Sequence, residues 1–229
     1  MRKSLSAGIV MMGLIAPWPG GAAEPADPLA LYGPFATYDI LRNGEIVGEH
    51  RIDFDRRDDQ LWVESRSDIE VPFLFMTAYD FTYRATSVWD GGDLLKLEAV
   101  TDDDGVRTEI VAERQAGNLL ITGPDGQNLT DPLFSVSEHW SESFIETTRQ
   151  LNTITGEVNR ISVTPLSTAF IPTSTGITQA NRYRLSGDLS LETWYDTEGR
   201  WLGMRFAARD NSTIEYRCRT CAADVAKRP

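Results

Sequence analysis

From Phe35 onward, apolar and polar residues alternate along most of the chain, which is the two-residue period of a strand with one face buried. Tyr38 and Ile40 alternate with polar neighbours and are followed by Asn43-Gly44. Such a pair favours a tight hairpin, because both central residues of that turn need positive φ. Ile46, Gly48, His50, Ile52 and Phe54 then share one face, opposite Glu45, Glu49, Arg51, Asp53 and Asp55. The pattern predicts a half-buried antiparallel hairpin. Further strands are predicted over 61–69, 79–89, 94–101, 106–113 and 118–122, and again over 157–164, 180–185, 189–195, 201–208 and 213–218. Clusters of Asp, Asn and Gly separate them, as at Gly91-Gly92, Gly187-Asp188 and Asp210-Asn211. Short strands on short turns predict a mainly β fold: an antiparallel curved sheet, half-barrel or barrel-like, without crossover helices.

Two segments depart from this period. Residues 135–149 have the spacing of a helix, with Ser135 and Glu138 as a capping-box pair and Val136, Trp140 and Phe144 four residues apart. One helix covering the mouth of the sheet is therefore expected. Residues 71–76 read Val-Pro-Phe-Leu-Phe-Met, an apolar run whose proline excludes a central strand. Exposed, this run would be a binding patch or a moving lid; buried, a core plug.

The start of the chain adds a compartment. Met1-Arg2-Lys3 precedes an apolar run over 7–16, and Gly21-Ala22-Ala23 precedes Glu24, the pattern of a secretory signal peptide cut after Ala23. The apolar run is well short of the roughly 20 residues that cross a bilayer, and no later segment is long and apolar enough to span. The expected organisation is a signal peptide over 1–23, a flexible leader over 24–34 containing three prolines, a single antiparallel β domain over 35–217, and a C-terminal tail over 218–229. The expected location is periplasmic or secreted.

Charge then removes whole classes of partner. The chain has 22 Lys+Arg against 34 Asp+Glu, a formal net charge of -12, and loss of 1–23 takes only Arg2 and Lys3 with it. Binding to nucleic acid or to an anionic bilayer surface needs clustered basic residues, so neither is expected. Two cysteines are too few for a disulfide-built scaffold, which leaves apolar burial to supply the stability.

The candidate chemistry is sparse. His50 shares its predicted inward face with Ile46, Ile52 and Phe54, so it is either a polar anchor in a pocket or a core histidine satisfied by a neighbouring strand. His139 precedes Trp140 and is placed to point into the same cavity. With them, Phe73, Phe75, Tyr79, Phe81, Tyr83, Trp140 and Tyr195 form the candidate ligand-binding set, an aromatic lining suited to an apolar or amphipathic molecule. Cys218-Arg-Thr-Cys221 is a C-x-x-C pair without the following histidine that haem attachment needs. A local disulfide is the plain reading in an oxidising compartment, and a zinc site with His50 and His139 is the alternative. Asp102-Asp103-Asp104-Gly105 lacks the spaced ligands of a calcium loop. No nucleophile elbow, phosphate loop or H-E-x-x-H motif is present, and no catalytic residue, metal ligand or cofactor is assigned.

Two stretches carry a resemblance: Glu138-His139-Trp140 followed by Leu151-Asn152-Thr153-Ile154-Thr155-Gly156, and Ala180-x-Arg182-Tyr183-x-Leu185-x-Gly187 leading into Trp194-Tyr195-Asp196-x-x-Gly199-Arg200-Trp201. They resemble a family of exported bacterial proteins known only as a domain of unknown function, over about 35–216. The Tyr-Asp-x-x-Gly turn is also similar to that of envelope proteins with half-barrel sheets, including lipoprotein carriers. The resemblance implies an exported β protein and brings no activity or ligand with it. Together these readings point to a binder of a lipid or other apolar small molecule, or of an envelope protein. The alternatives are a small enzyme using His50 and His139, or a metal or redox protein using Cys218 and Cys221.

Overall fold

A computed structural model describes residues 26–73, 76–131, 135–173 and 176–221. They form one antiparallel sheet of fifteen strands: β1 (Phe35–Arg42), β2 (Glu45–Arg57), β3 (Gln60–Phe73), β4 (Met76–Asp90), β5 (Asp93–Asp103), β6 (Val106–Gln115), β7 (Asn118–Gly123), β8 (Gly126–Thr130), β9 (Arg149–Leu151), β10 (Val158–Pro165), β11 (Ala169–Thr173), β12 (Gly176–Gly187), β13 (Leu191–Tyr195), β14 (Trp201–Ala207) and β15 (Thr213–Thr220). The mainly β, curved antiparallel fold expected from the alternation is what forms. β1 to β8 are neighbours in chain order, β12 to β15 likewise, and β1 pairs with β15 to join the two meanders. The sheet stays open, with β8 and β9 as its ends. Those ends approach each other, since Arg149 Nη2 on β9 donates to Thr130 Oγ1 on β8 at 2.7 Å.

Bulges supply part of the curvature, because an extra residue on one strand bends it and increases its twist. Ile40 pairs with Gly48 but Leu41 pairs with Ile46, which leaves Val47 unmatched. This shift corrects the predicted face of β2: His50, Ile52 and Phe54 are buried, whereas Ile46 is 65% exposed. Bulges also fall between Val88 and Trp89 and between Trp194 and Tyr195, and in each pair both residues are buried. At Gly203 a Cβ would lie 1.9 Å from the carbonyl oxygen of Tyr216, and φ is 144°, so only glycine fits this close crossing of β14 and β15.

The expected helix over 135–149 does not form. Its residues run as an irregular segment with a single 3-10 turn, Glu142–Glu146, and Ser135 Oγ meets Thr147 Oγ1 instead of capping. The reason is competition from β9: Ser137 N donates to Leu151 O and Leu151 N to Ser135 O, so the backbone is spent on a bridge to a neighbouring strand. The helix that does form is a short one, α1 (Pro28–Tyr32), capped by the Asp27 side chain. It corrects the flexible leader, because Tyr32 is almost fully buried in the core. The C-terminal tail is corrected too, since Cys218 to Thr220 belong to β15.

Pro72 lies within β3, beyond Ile69, the last residue paired with β2. There β3 has only β4 beside it, the edge position in which a sheet tolerates proline. Two members of the candidate ligand-binding set fall in the rest of this apolar run: the side chain of Phe73 and the whole of Phe75 lie outside the described residues.

Candidate functional site

The register sets a polar band across the inside of the sheet. Tyr38 pairs with His50, His50 with Ser67, Ser67 with Tyr83, and Tyr83 with Thr101, so five hydrogen-bonding side chains stand in one row over β1 to β5. One step along lies a row of mostly small residues, Ala36, Ile52, Ser65, Ala85 and Ala99. Toward the other end of β2 and β3 the inward residues become Phe54, Val63 and Leu61, which close the core. The sheet interior thus grades from apolar to polar along its strands.

The segment 135–144 enters this interior. Tyr195 Oη donates to the His139 carbonyl at 2.9 Å, and Tyr32 Oη donates to the Trp140 carbonyl at 2.7 Å. His139 has φ of 56°, a left-handed conformation uncommon for a side chain of its size. Its ring stacks against Trp201 at 5.5 Å between centroids and lies 4.2 Å from Phe144. Trp201 is delivered by the turn before it. Asp196 Oδ1 accepts from the backbone N–H groups of Glu198 and Arg200, and Arg200 Nε donates to Oδ2 at 2.6 Å.

Between this segment and the polar band is a cavity of about 440 Å³, within the range of small-molecule sites. His50, Ser65, Ser67, Glu138, His139 and Trp201 define its polar and aromatic inner wall, and Phe81, Met204 and Phe206 contribute apolar surface. Exposed Ile154 and Ser190 mark its solvent side. His50 Nδ1 lies 2.8 Å from Ser67 Oγ, and Tyr83 Oη donates to Thr153 Oγ1 at 2.8 Å. Burial holds both imidazoles neutral: His50 is lowered to about 4, and His139 to about 3 with the nearby His50 adding to the effect. Burial pushes the Glu138 carboxyl up, against the hydrogen bonds from Trp140 and Ser87 and the nearby Ser65 hydroxyl, which favour its ionised form. Oε2 of Glu138 receives the bonds from Trp140 and Ser87, while Oε1, Ser65 Oγ and His139 Nδ1 are buried with no hydrogen-bonding partner in bonding geometry among the described residues.

Of the side chains expected to line a pocket, the structure brings His50, Phe81, Tyr83 and His139 together in this cavity. Trp140 instead packs on Trp89 and Phe54 and borders a smaller cavity of about 180 Å³ beside Asp27 and Arg56. Tyr79 does not line the larger cavity and donates to Asp103 Oδ1. Tyr195 is wholly buried behind His139. Sequence reasoning missed Ser65 and Ser67, although their position in the inward phase of β3 was a readable signal. It also read Glu138 only as a helix cap.

Cys218 and Cys221 are both buried, with Cα atoms 5.8 Å apart and sulfurs at bonding distance. Cys221 Sγ also lies against the Thr37 carbonyl. They do not combine with His50 and His139: among the described residues no three His, Cys, Asp or Glu side chains converge on a metal-binding position. No helix among the described residues is long and apolar enough to cross a membrane.

Comparison with known proteins agrees with the architecture. A family model described as a domain of unknown function (DUF6134) matches residues 38–219, and the chain belongs to that family. The match contains both motif stretches that carried the resemblance. No curated protein matches the sequence. Among solved structures, the chain is similar to a beta-barrel-like protein of domain of unknown function DUF1849 from Brucella abortus. That similarity has a TM-score of 0.60 at 12% identity and covers 83% of this chain and 98% of the other. It speaks for the fold alone.

Proposed function

We propose that the protein is an exported, periplasmic or secreted binding protein that holds an apolar or amphipathic small molecule in the cavity between the polar band of β1 to β5 and the segment 135–144. The observation that carries this reading is the cavity itself: about 440 Å³, lined by aromatic and aliphatic groups together with buried polar ones. The Cys218–Cys221 pair fits the same compartment as a local disulfide at the end of β15. Ligand surface would be buried on Phe81, Met204, Phe206 and Trp201, with His50 and His139 as neutral hydrogen-bonding anchors. Titration with the fluorescent apolar probe N-phenyl-1-naphthylamine tests this. Saturable one-to-one binding is expected, abolished when Met204→Trp fills the cavity; no saturable binding to the wild type would refute it.

A second reading rests on one contact. Ser67 Oγ beside His50 Nδ1 is a nucleophile next to a base inside a cavity, the minimum for acyl transfer. Covalent labelling of Ser67 by a fluorophosphonate, absent in His50→Gln, would favour it over simple binding.

A further inference from the structure

The lining of the cavity also bears on the head group of its occupant. Glu138, Ser65 and His139 line it, each nearly inaccessible to solvent; the Ser65 hydroxyl is beside the Glu138 carboxyl, and Glu138 Oε1, Ser65 Oγ and His139 Nδ1 are buried without a hydrogen bond in bonding geometry among the described residues. Unpartnered buried polar groups are costly, and a cluster of them beside a ligand-sized cavity points to a missing polar partner. The charge of that partner is set by its surroundings. Among the described residues no lysine or arginine lines the cavity, both histidines there are held neutral, and Glu138 is its sole carboxyl group. A carboxylate or phosphate head would find no cation, and would stand beside another carboxyl group. A protonated amine would compensate the buried carboxylate and donate to Oε1.

We infer that the cavity selects an amphiphile with a protonated amine head, with Glu138 as its counter-ion and Ser65 and His139 as neutral hydrogen-bonding partners. This rests on the binding reading above and narrows it to a ligand class. The exported chain's strongly acidic balance would favour approach of such a cation over an anion.

Three probes of one tail length separate the outcomes: dodecylamine, dodecanol and dodecanoate, each measured by displacement of N-phenyl-1-naphthylamine from the full mature protein. The amine is expected to bind about tenfold or more tightly than the alcohol, as a charge-assisted bond in a buried site implies, and the carboxylate weakest. Glu138→Gln keeps the acceptor for Ser87 and Trp140 and should remove the preference for the amine over the alcohol. Equal binding of amine and alcohol, tighter binding of dodecanoate, or an amine preference that survives Glu138→Gln would overturn the inference and leave the cavity as a site for another head group. If the naphthylamine probe and all three dodecyl compounds fail to bind the wild type, the binding reading falls and this inference with it. The wild-type comparison decides the matter even if the variant fails to fold.

Discussion

His50 and Ser67 face each other across β2 and β3 with Nδ1 2.8 Å from Oγ, and this pair belongs to the row that runs from Tyr38 to Thr101. The histidine is thereby satisfied, as a core histidine must be, and it also lines the cavity. A satisfied core residue and a cavity residue are here the same side chain.

This burial makes the fold acid-sensitive. His50 and His139 have folded-state pKa values lowered to about 4 and about 3 from a reference of 6.5, so below 6.5 the unfolded chain binds more protons than the folded one. Their contribution is complete above 6.5 and is lost as pH falls toward 4, at up to roughly 1.4 kcal/mol per pH unit for each histidine. Urea midpoints measured between pH 7 and pH 4 should fall, and His50→Asn should flatten the slope. An unchanged slope in that variant would show that His50 is not the buried group responsible.

Glu138 works in the opposite sense. Its pKa is raised by burial, so its favourable contribution is present below the unfolded-state value and is lost as pH rises through the folded one. Ionising this buried carboxyl is costly, and Glu138→Gln removes that cost. The stability of the variant relative to the wild type should therefore rise between pH 4 and pH 7. Thermal unfolding at the two pH values provides the check, and a relative stability that does not rise would speak against a costly carboxylate.

Tyr32 ties three elements through one hydroxyl, which accepts from Trp201 N at 2.7 Å and donates to the Trp140 carbonyl at 2.7 Å. Tyr32→Phe keeps the ring against Phe54 but strands a buried N–H and a buried carbonyl. The expected loss is about 1–3 kcal/mol in urea unfolding. Deleting residues 24–33 should cost more, since it also removes the ring from the core, whereas a flexible leader would be deleted without effect.

The cysteine pair should titrate as no free thiol in the mature, non-reduced protein. Reduction should lower stability by about 2 kcal/mol or less, because so short a loop constrains the unfolded chain little. Two free thiols under denaturing conditions would remove the disulfide from the account.

Much of the fold was legible because a buried sheet face imposes a period that survives in the sequence. The predicted strands over 61–69, 106–113 and 118–122 fall inside β3, β6 and β7, and Asn43-Gly44 is the turn between β1 and β2, with φ of 50° and 90°. What was lost was lost for local reasons. The unmatched Val47 shifts the phase by one residue, so Ile46 appears to continue a face that it has left. Val136, Trp140 and Phe144 are spaced like a helix, yet each is buried against a different partner: the bridge to Leu151, the ring of Trp89 and the ring of His139. A segment threaded inside a curved sheet is buried on several sides, and its spacing carries no helical meaning. The cavity was half legible, because aromatic and histidine positions are conspicuous and inward serines are not.

Native mass spectrometry of the mature protein after incubation with a bacterial envelope lipid extract would decide whether the cavity is a ligand site. The expected result is a single one-to-one non-covalent adduct that disappears on denaturation and does not form with Met204→Trp. A bare chain in every preparation, or the same adduct on wild type and variant alike, would mean that the space beside His50 and Glu138 is not where this protein works.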